Sequence, residues 1–236
     1  MRQLHNTAPF PAPPGHHVPL AGFPQKGQRQ EGLAALQGVR RRYRAQEVIC
    51  REGDPVERLC LIRKGIVKLV TYLPNGRSRI LRLHARAHWL GLEGLLRQPN
   101  QHTAFAVNEV ELETFSTAEL LRIQAEDPLR LGQVLRQWHA DLRQADRWIS
   151  DFSTGSIKPR VARLLEFLAE LQNDEASYDV ALLTVNEMAD ILGVTQESVS
   201  RILAEFMRRS ILRKQAHPLR EAYRLDSRRL QQEALK

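Results

Sequence analysis

A chain of 236 residues, 42% of them hydrophobic, is long enough for two small domains with real cores. The 35 Lys/Arg against 27 Asp/Glu give a formal charge of +8, which fits a nucleic-acid partner and equally an ordinary basic protein. Two cysteines, Cys50 and Cys60, supply neither a disulfide framework nor a four-ligand zinc site, and the apolar runs are too short to cross a bilayer, so the cytoplasm is the expected compartment.

Residues 1–30 are rich in proline and glycine without periodicity and read as a disordered tail. They hold no apolar run like a signal peptide, and His16-His17 reads as solvated rather than metal-binding. From 31 to 125 the texture is short strands, at Val48–Cys50, Leu59–Ile62, Ile66–Tyr72, Arg79–His84, Thr103–Val107 and Val110–Phe115. Glu52-Gly53-Asp54-Pro55 and Pro74-Asn75-Gly76 supply turns, so a small rolled all-β domain is expected. Cys50 and Cys60 fall on strands and read as structural thiols.

Residues 126–155 hold a long helix and a hinge. Leu131, Leu135, Trp138, Leu142, Ala145, Ile149 and Phe152 are spaced 4, 3, 4, 3, 4, 3, the a/d pattern of a coiled-coil seam. A helix packed on its own β-domain would also show a stripe. The unbroken 3.5 period, with Arg, Gln and Asp between, favours a two-fold dimer seam. Ser153-Thr154-Gly155-Ser156 reads as the hinge, and Lys158–Gln172 as a helix burying Val161, Leu164, Leu165 and Leu168, before a polar loop at Asn173–Tyr178.

The segment Thr184–Phe206 organises the remainder, 156–236. Thr184 and Glu187 fit a capping box, Gly193 fits a tight turn, and Thr195 caps a second helix. That helix puts Val199, Ile202, Leu203 and Phe206 on one face and Glu197, Ser200 and Arg201 on the other. This is the pattern of a helix-turn-helix whose second helix meets base edges. Ile211–Gln215, a His217-Pro218 turn and Glu221–Leu225 read as a hairpin wing. Arg201–Lys236 carries ten Lys/Arg against four Asp/Glu, whereas Ser156–Ser200 carries three against eight. The charge thus concentrates where phosphates would lie. Gln196, Glu197, Ser200 and Arg201 are the candidate base readers; Thr195, Ser198, Arg208, Arg209, Arg213 and Lys214 are the candidate phosphate contacts.

A β-roll, a long helix and a C-terminal winged helix-turn-helix, an α+β arrangement, resemble the family of the cyclic-AMP receptor protein and the fumarate-nitrate reductase regulator. Glu52-Gly53-Asp54, Leu59, Ile62, Gly65 and Val67-Lys68-Leu69 look like the family's β-roll signature, and Gly91–Ala104 like its phosphate-binding cassette. Glu197-Ser198-Val199-Ser200-Arg201 resembles the fumarate-nitrate branch, which implies TTGAT-like half-sites in double-stranded DNA, read by the homodimer that the heptad seam suggests. The sequence shows no nucleophile-base pair, no Gly-Lys-Ser/Thr phosphate loop and no helical metal-ligand cluster, so no enzymatic activity is expected. Activation would also need a surface for RNA polymerase, which no residue identifies. The cassette departs from the cyclic-nucleotide pattern. It has Gly91, then Leu92 where the family's Glu is expected, Glu93 one place out of register, and His102-Thr103 in place of Arg-Ser. The charge logic of cyclic-AMP binding is missing there, and the effector is unknown. The tail lacks the cysteines of an iron-sulfur site. No cofactor is expected; haem held by His84, His88 or His102 is the minor alternative, and a metal on His84 and His88 lacks an evident third ligand.

Overall fold

The computed structural model describes residues 38–118, 121, 128–172, 179–215 and 222–236. The tail of residues 1–30, the Asn173–Tyr178 loop and the His217-Pro218 turn lie outside them.

Two four-stranded antiparallel sheets form the N-terminal unit. One has the order β1-β8-β3-β6, from Val39–Tyr43, Val110–Ser116, Arg58–Lys64 and Trp89–Leu90. The other has the order β2-β7-β4-β5, from Val48–Cys50, Thr103–Ala106, Val67–Tyr72 and Ser78–His84. Alternation along the strands sends Ile62, Val67, Leu90, Ala104, Ala106, Val110 and Leu112 into one buried cluster. Gly65 joins β3 to β4 at φ 90°, and a Cβ there would collide with the carbonyl of Glu109. Only glycine fits that turn.

β1, with the sequence VRRRY, is absent from the sequence-based expectation. Its arginines gain a reason for extended structure only from β8, where Arg40 lies opposite Glu113 and Arg42 opposite Glu111. The Arg42 Nε to Glu111 distance is 3.1 Å.

Helix α1, Pro128–Ser153, runs from the roll to the C-terminal unit; Gly155 at φ 84° turns the chain, and α2 follows at Ile157–Gln172. The expected seam divides. Leu142 and Ile149 are each 60% exposed. Trp138 packs instead on the roll beside Trp89 and Phe115, Ala145 faces a cavity under the same helix, and Phe152 is 2% exposed against Trp148 and Phe167. Phe152 therefore belongs to the core of this chain and not to a surface seam. At about 100° per residue, positions three or four apart differ by about 40–60° around the axis, so Leu142 and Ile149 lie along one edge of the stripe and Trp138, Ala145 and Phe152 along the other. The side chains of Leu131 and Leu135 lie outside the described residues.

The C-terminal unit packs α2, α3 (Val185–Leu192), α4 (Gln196–Arg208) and α5 (Ser227–Ala234) around Leu164, Leu165, Leu168, Met188, Ile191, Val199 and Phe206. A three-stranded sheet, β10-β11-β9, from Leu212–Gln215, Ala222–Leu225 and Asp179–Val180, closes it. The α5 helix, capped by the side chain of Asp226 on Arg229 N, is not anticipated from sequence. It is held by Glu233, 1% exposed, whose Oε1 lies 2.7 Å from Arg209 and 2.8 Å from Lys236. Burial pushes this carboxyl up, but hydrogen bonds from Lys236 and Arg209 and the charge of Lys158 outweigh it and bring it to about 2.

Candidate nucleic-acid interface and effector pocket

The helix-turn-helix is built by local chemistry. Thr184 Oγ1 accepts from Glu187 N (3.2 Å) while Glu187 Oε2 accepts from Thr184 N (3.0 Å), closing the capping box. Gly193 ends α3 at φ 65°, in the left-handed region. Thr195 then caps α4 by accepting from Ser198 N. Val199, Ile202, Leu203 and Phe206 are buried, which turns Gln196, Glu197, Ser200 and Arg201 to solvent.

The exposed face has defined chemistry. The Glu197 carboxyl is held below its usual range by hydrogen bonds from its own backbone N–H and from Thr195, so it is an ionised acceptor. Gln196 donates from Nε2 to Asn186 Oδ1 at 2.6 Å, which fixes its orientation beside the turn. Arg201 and Arg208 stand exposed further along α4, with Arg213 and Lys214 exposed on β10. Thr195 and Ser198 serve the cap itself. Arg209 differs from the expectation of a phosphate contact: its guanidinium is bound to Glu205 (3.3 Å) and Glu233 (2.7 Å), so it ties the end of α4 to α5.

Arg160 is a structural residue that periodicity does not reveal. It is buried on α2, donates from Nε to the Phe152 carbonyl at 2.8 Å and bonds the Leu192 carbonyl as well. One guanidinium thus caps the C-terminal ends of α1 and α3, where the helix dipoles favour a cation.

In the roll, a cavity of about 440 Å³ lies between β5, the cassette and α1. Gly91, Leu92, Glu93 and His102 of the cassette line it. Thr103 does not; it is buried and accepts from Glu52 N at 3.1 Å. Arg82 lines the wall, a cation that reading the cassette alone misses because it comes from β5. His84, also in the wall, lies beside His88, and His102, half-buried, lines the same cavity close enough for its charge to act on His84. Burial pushes the thiols of Cys50 and Cys60 up to about 11 and about 12, so both are neutral near pH 7, in keeping with structural roles.

Residues 40–127 match the model of the cyclic nucleotide-binding domain, and residues 160–232 match that of the Crp-like helix-turn-helix domain. The chain is 29% identical over 196 residues to the transcriptional regulator LdrP of Thermus thermophilus, covering 82% of this chain and 96% of that protein. It is 28% identical over 166 residues to a CRP-like cAMP-activated global transcriptional regulator of Mycobacterium tuberculosis, covering 69% and 74% of the two chains. The crystal structure of a CRP-family transcriptional regulator from Thermus thermophilus superposes with a TM-score of 0.70 at 28% identity, covering 83% of this chain and 97% of that one.

Proposed function

We infer that this chain, which belongs to the Crp/Fnr family of transcription regulators, is a homodimeric, sequence-specific DNA-binding regulator that reads an inverted repeat of TTGAT-like half-sites. The observation that carries this is the exposed Glu197, Ser200 and Arg201 on the first turns of a capped helix beside a basic wing. Arg201 donates to guanine O6 and N7, Glu197 accepts from cytosine N4, and Ser200 meets a polar edge or a thymine methyl. Gln196 borders these contacts. Arg208, Arg213 and Lys214, with Thr195 and Ser198 at the helix start, hold the phosphates and set the register.

Leu142 and Ile149 are the seam through which two chains pair in this reading, bringing two recognition helices to successive major grooves. The protein acts in the cytoplasm, with RNA polymerase as the further partner where it activates. The pocket in the roll does not take cyclic AMP in the manner of the cyclic-AMP receptor protein, because by the sequence resemblance Leu92 and His102 stand where the ribose and phosphate partners are expected. Titration calorimetry with cyclic AMP tests that point: tight stoichiometric heat contradicts it.

A second reading, in which a ligand in the roll is required for DNA binding, draws on the cavity of about 440 Å³, a size suited to small ligands. A visible spectrum of the purified protein checks the haem form of it. For the main reading, selection of bound duplexes from a random pool is the test. Enrichment of an inverted TTGAT repeat supports it; recovery of no common motif overturns it.

A further inference from the structure

His84 closes β5, His88 follows in the turn before β6, and Asp141 comes from the middle of α1. All three are buried, and one ligand atom from each lies within 4.8 Å of the others. The two imidazoles meet edge to face, with centroids 4.9 Å apart. His84 is 2% exposed, yet neither of its ring nitrogens has a hydrogen-bond partner. Buried imidazoles ordinarily satisfy at least one nitrogen, so His84 keeps both ring nitrogens available to a ligand.

We propose that His84, His88 and Asp141 form a binding site for a divalent first-row transition metal of the zinc or iron(II) class, linking the β-roll to the long helix. The donor set supports this class. Two imidazole nitrogens and one carboxylate oxygen suit zinc, iron(II), cobalt and nickel, whereas calcium and magnesium prefer all-oxygen shells. His88 is already oriented: its Nδ1 lies 3.1 Å from the carbonyl of Ala85, which can only accept, so the neutral ring carries its lone pair on Nε2. Such a backbone bond to the second nitrogen is the usual outer-shell support of a metal-bound histidine. Asp141, whose charge already acts on His88, supplies the carboxylate of the set. His84 and Asp141 both line the cavity, which gives an entry path and room for an exogenous fourth ligand. Bond lengths of about 2.0–2.2 Å put two ligand atoms at most about 4.4 Å apart, so the three side chains need only a small adjustment to share one ion.

Cobalt(II) is the probe, because its visible absorption reports ligand number and type. Full-length protein stripped with a chelator should take up one Co²⁺ per chain, with a visible band of low-symmetry coordination that Zn²⁺ abolishes. Asp141→Asn, which keeps the side-chain size, and His84→Leu should each lose the band, while His16→Ala/His17→Ala should keep it. Circular dichroism melts of the variants establish that they are folded. No band in the wild-type protein overturns the proposal whatever the variants do. A band that survives in folded Asp141→Asn and His84→Leu overturns it as well, since the ion then sits on other imidazoles.

Discussion

Nζ of Lys68, on β4 of the roll, lies 2.6 Å from Oε1 of Glu187, the residue that also closes the capping box of α3. Beside it Ser78 Oγ donates to Asp190 Oδ2 at 3.0 Å, and the guanidinium of Arg79 packs over Gly193 at the turn. The β4–β5 hairpin therefore grips the helix that precedes the recognition helix. Burial pushes the Glu187 carboxyl up, and the bonds from Lys68 and Thr184 more than reverse this, leaving it below its usual range.

Lys68→Met should destabilise the chain by about 2–3 kcal/mol, somewhat under the 3–5 kcal/mol typical when one partner of a fully buried pair is removed. Lys68→Met combined with Glu187→Gln should recover part of that loss, which a double-mutant cycle of thermal melts reads directly. Because the Glu187 value is depressed in the fold, its contribution is present above the unfolded carboxylate value and lost as pH falls through the folded one. Equal melting of Lys68→Met and wild type would show that the pair contributes nothing to stability.

Glu166 on α2 behaves in the opposite sense. Burial pushes its carboxyl from 4.5 up to about 7, and its Oε1 has no hydrogen bond. A folded value above the unfolded one means stabilisation that is complete below 4.5 and is lost as pH rises through about 7. Glu166→Gln should therefore melt higher than wild type at pH 8, by about 2–4 °C for each kcal/mol recovered, and the same as wild type at pH 4. An equal shift at both pH values would place its cause outside this ionisation.

Leu142→Asp/Ile149→Asp should convert a dimer to monomers in sedimentation velocity while leaving the melting of the C-terminal unit within about 0.5 kcal/mol, because both side chains are exposed in the single chain. Trp138→Asp should instead unfold part of the roll, where that ring is packed. A dimer that survives the double substitution would move the interface elsewhere.

Arg201→Ala and Arg213→Ala separate reading from positioning. The first should cost about 1–3 kcal/mol and relax preference at one half-site position. The second should weaken all duplexes alike and reduce the salt slope by about 1. Anisotropy titrations on matched and mismatched duplexes at several salt concentrations distinguish them. Identical behaviour would erase the distinction between the two roles.

The helix-turn-helix is legible in the sequence because its determinants are local: Thr184 with Glu187 three residues on, Gly193 at a left-handed turn, and Thr195 capping its own helix. Most strands are legible for the same reason. What escapes is set by distant partners. The arginines of β1 become a strand only opposite the glutamates of β8, and Arg160 finds its two carbonyls at the ends of other helices. The heptad stripe on α1 carries the right periodicity, but only the packed structure separates the exposed Leu142 and Ile149 from the buried Phe152. Likewise His84 and His88 suggest a pair by spacing, while Asp141 joins them only when α1 crosses the roll.

The measurement that bears most directly on the central claim is fluorescence anisotropy of the purified protein on an inverted TTGAT repeat and on a scrambled duplex of equal length, both at one physiological salt concentration. Base reading by Glu197, Ser200 and Arg201 predicts affinity for the repeat at least about 1000-fold above that for the scramble. Equal affinity for the two, in protein that is dimeric and carries any ligand it co-purifies with, would contradict the assignment of α4 as a reader of this sequence.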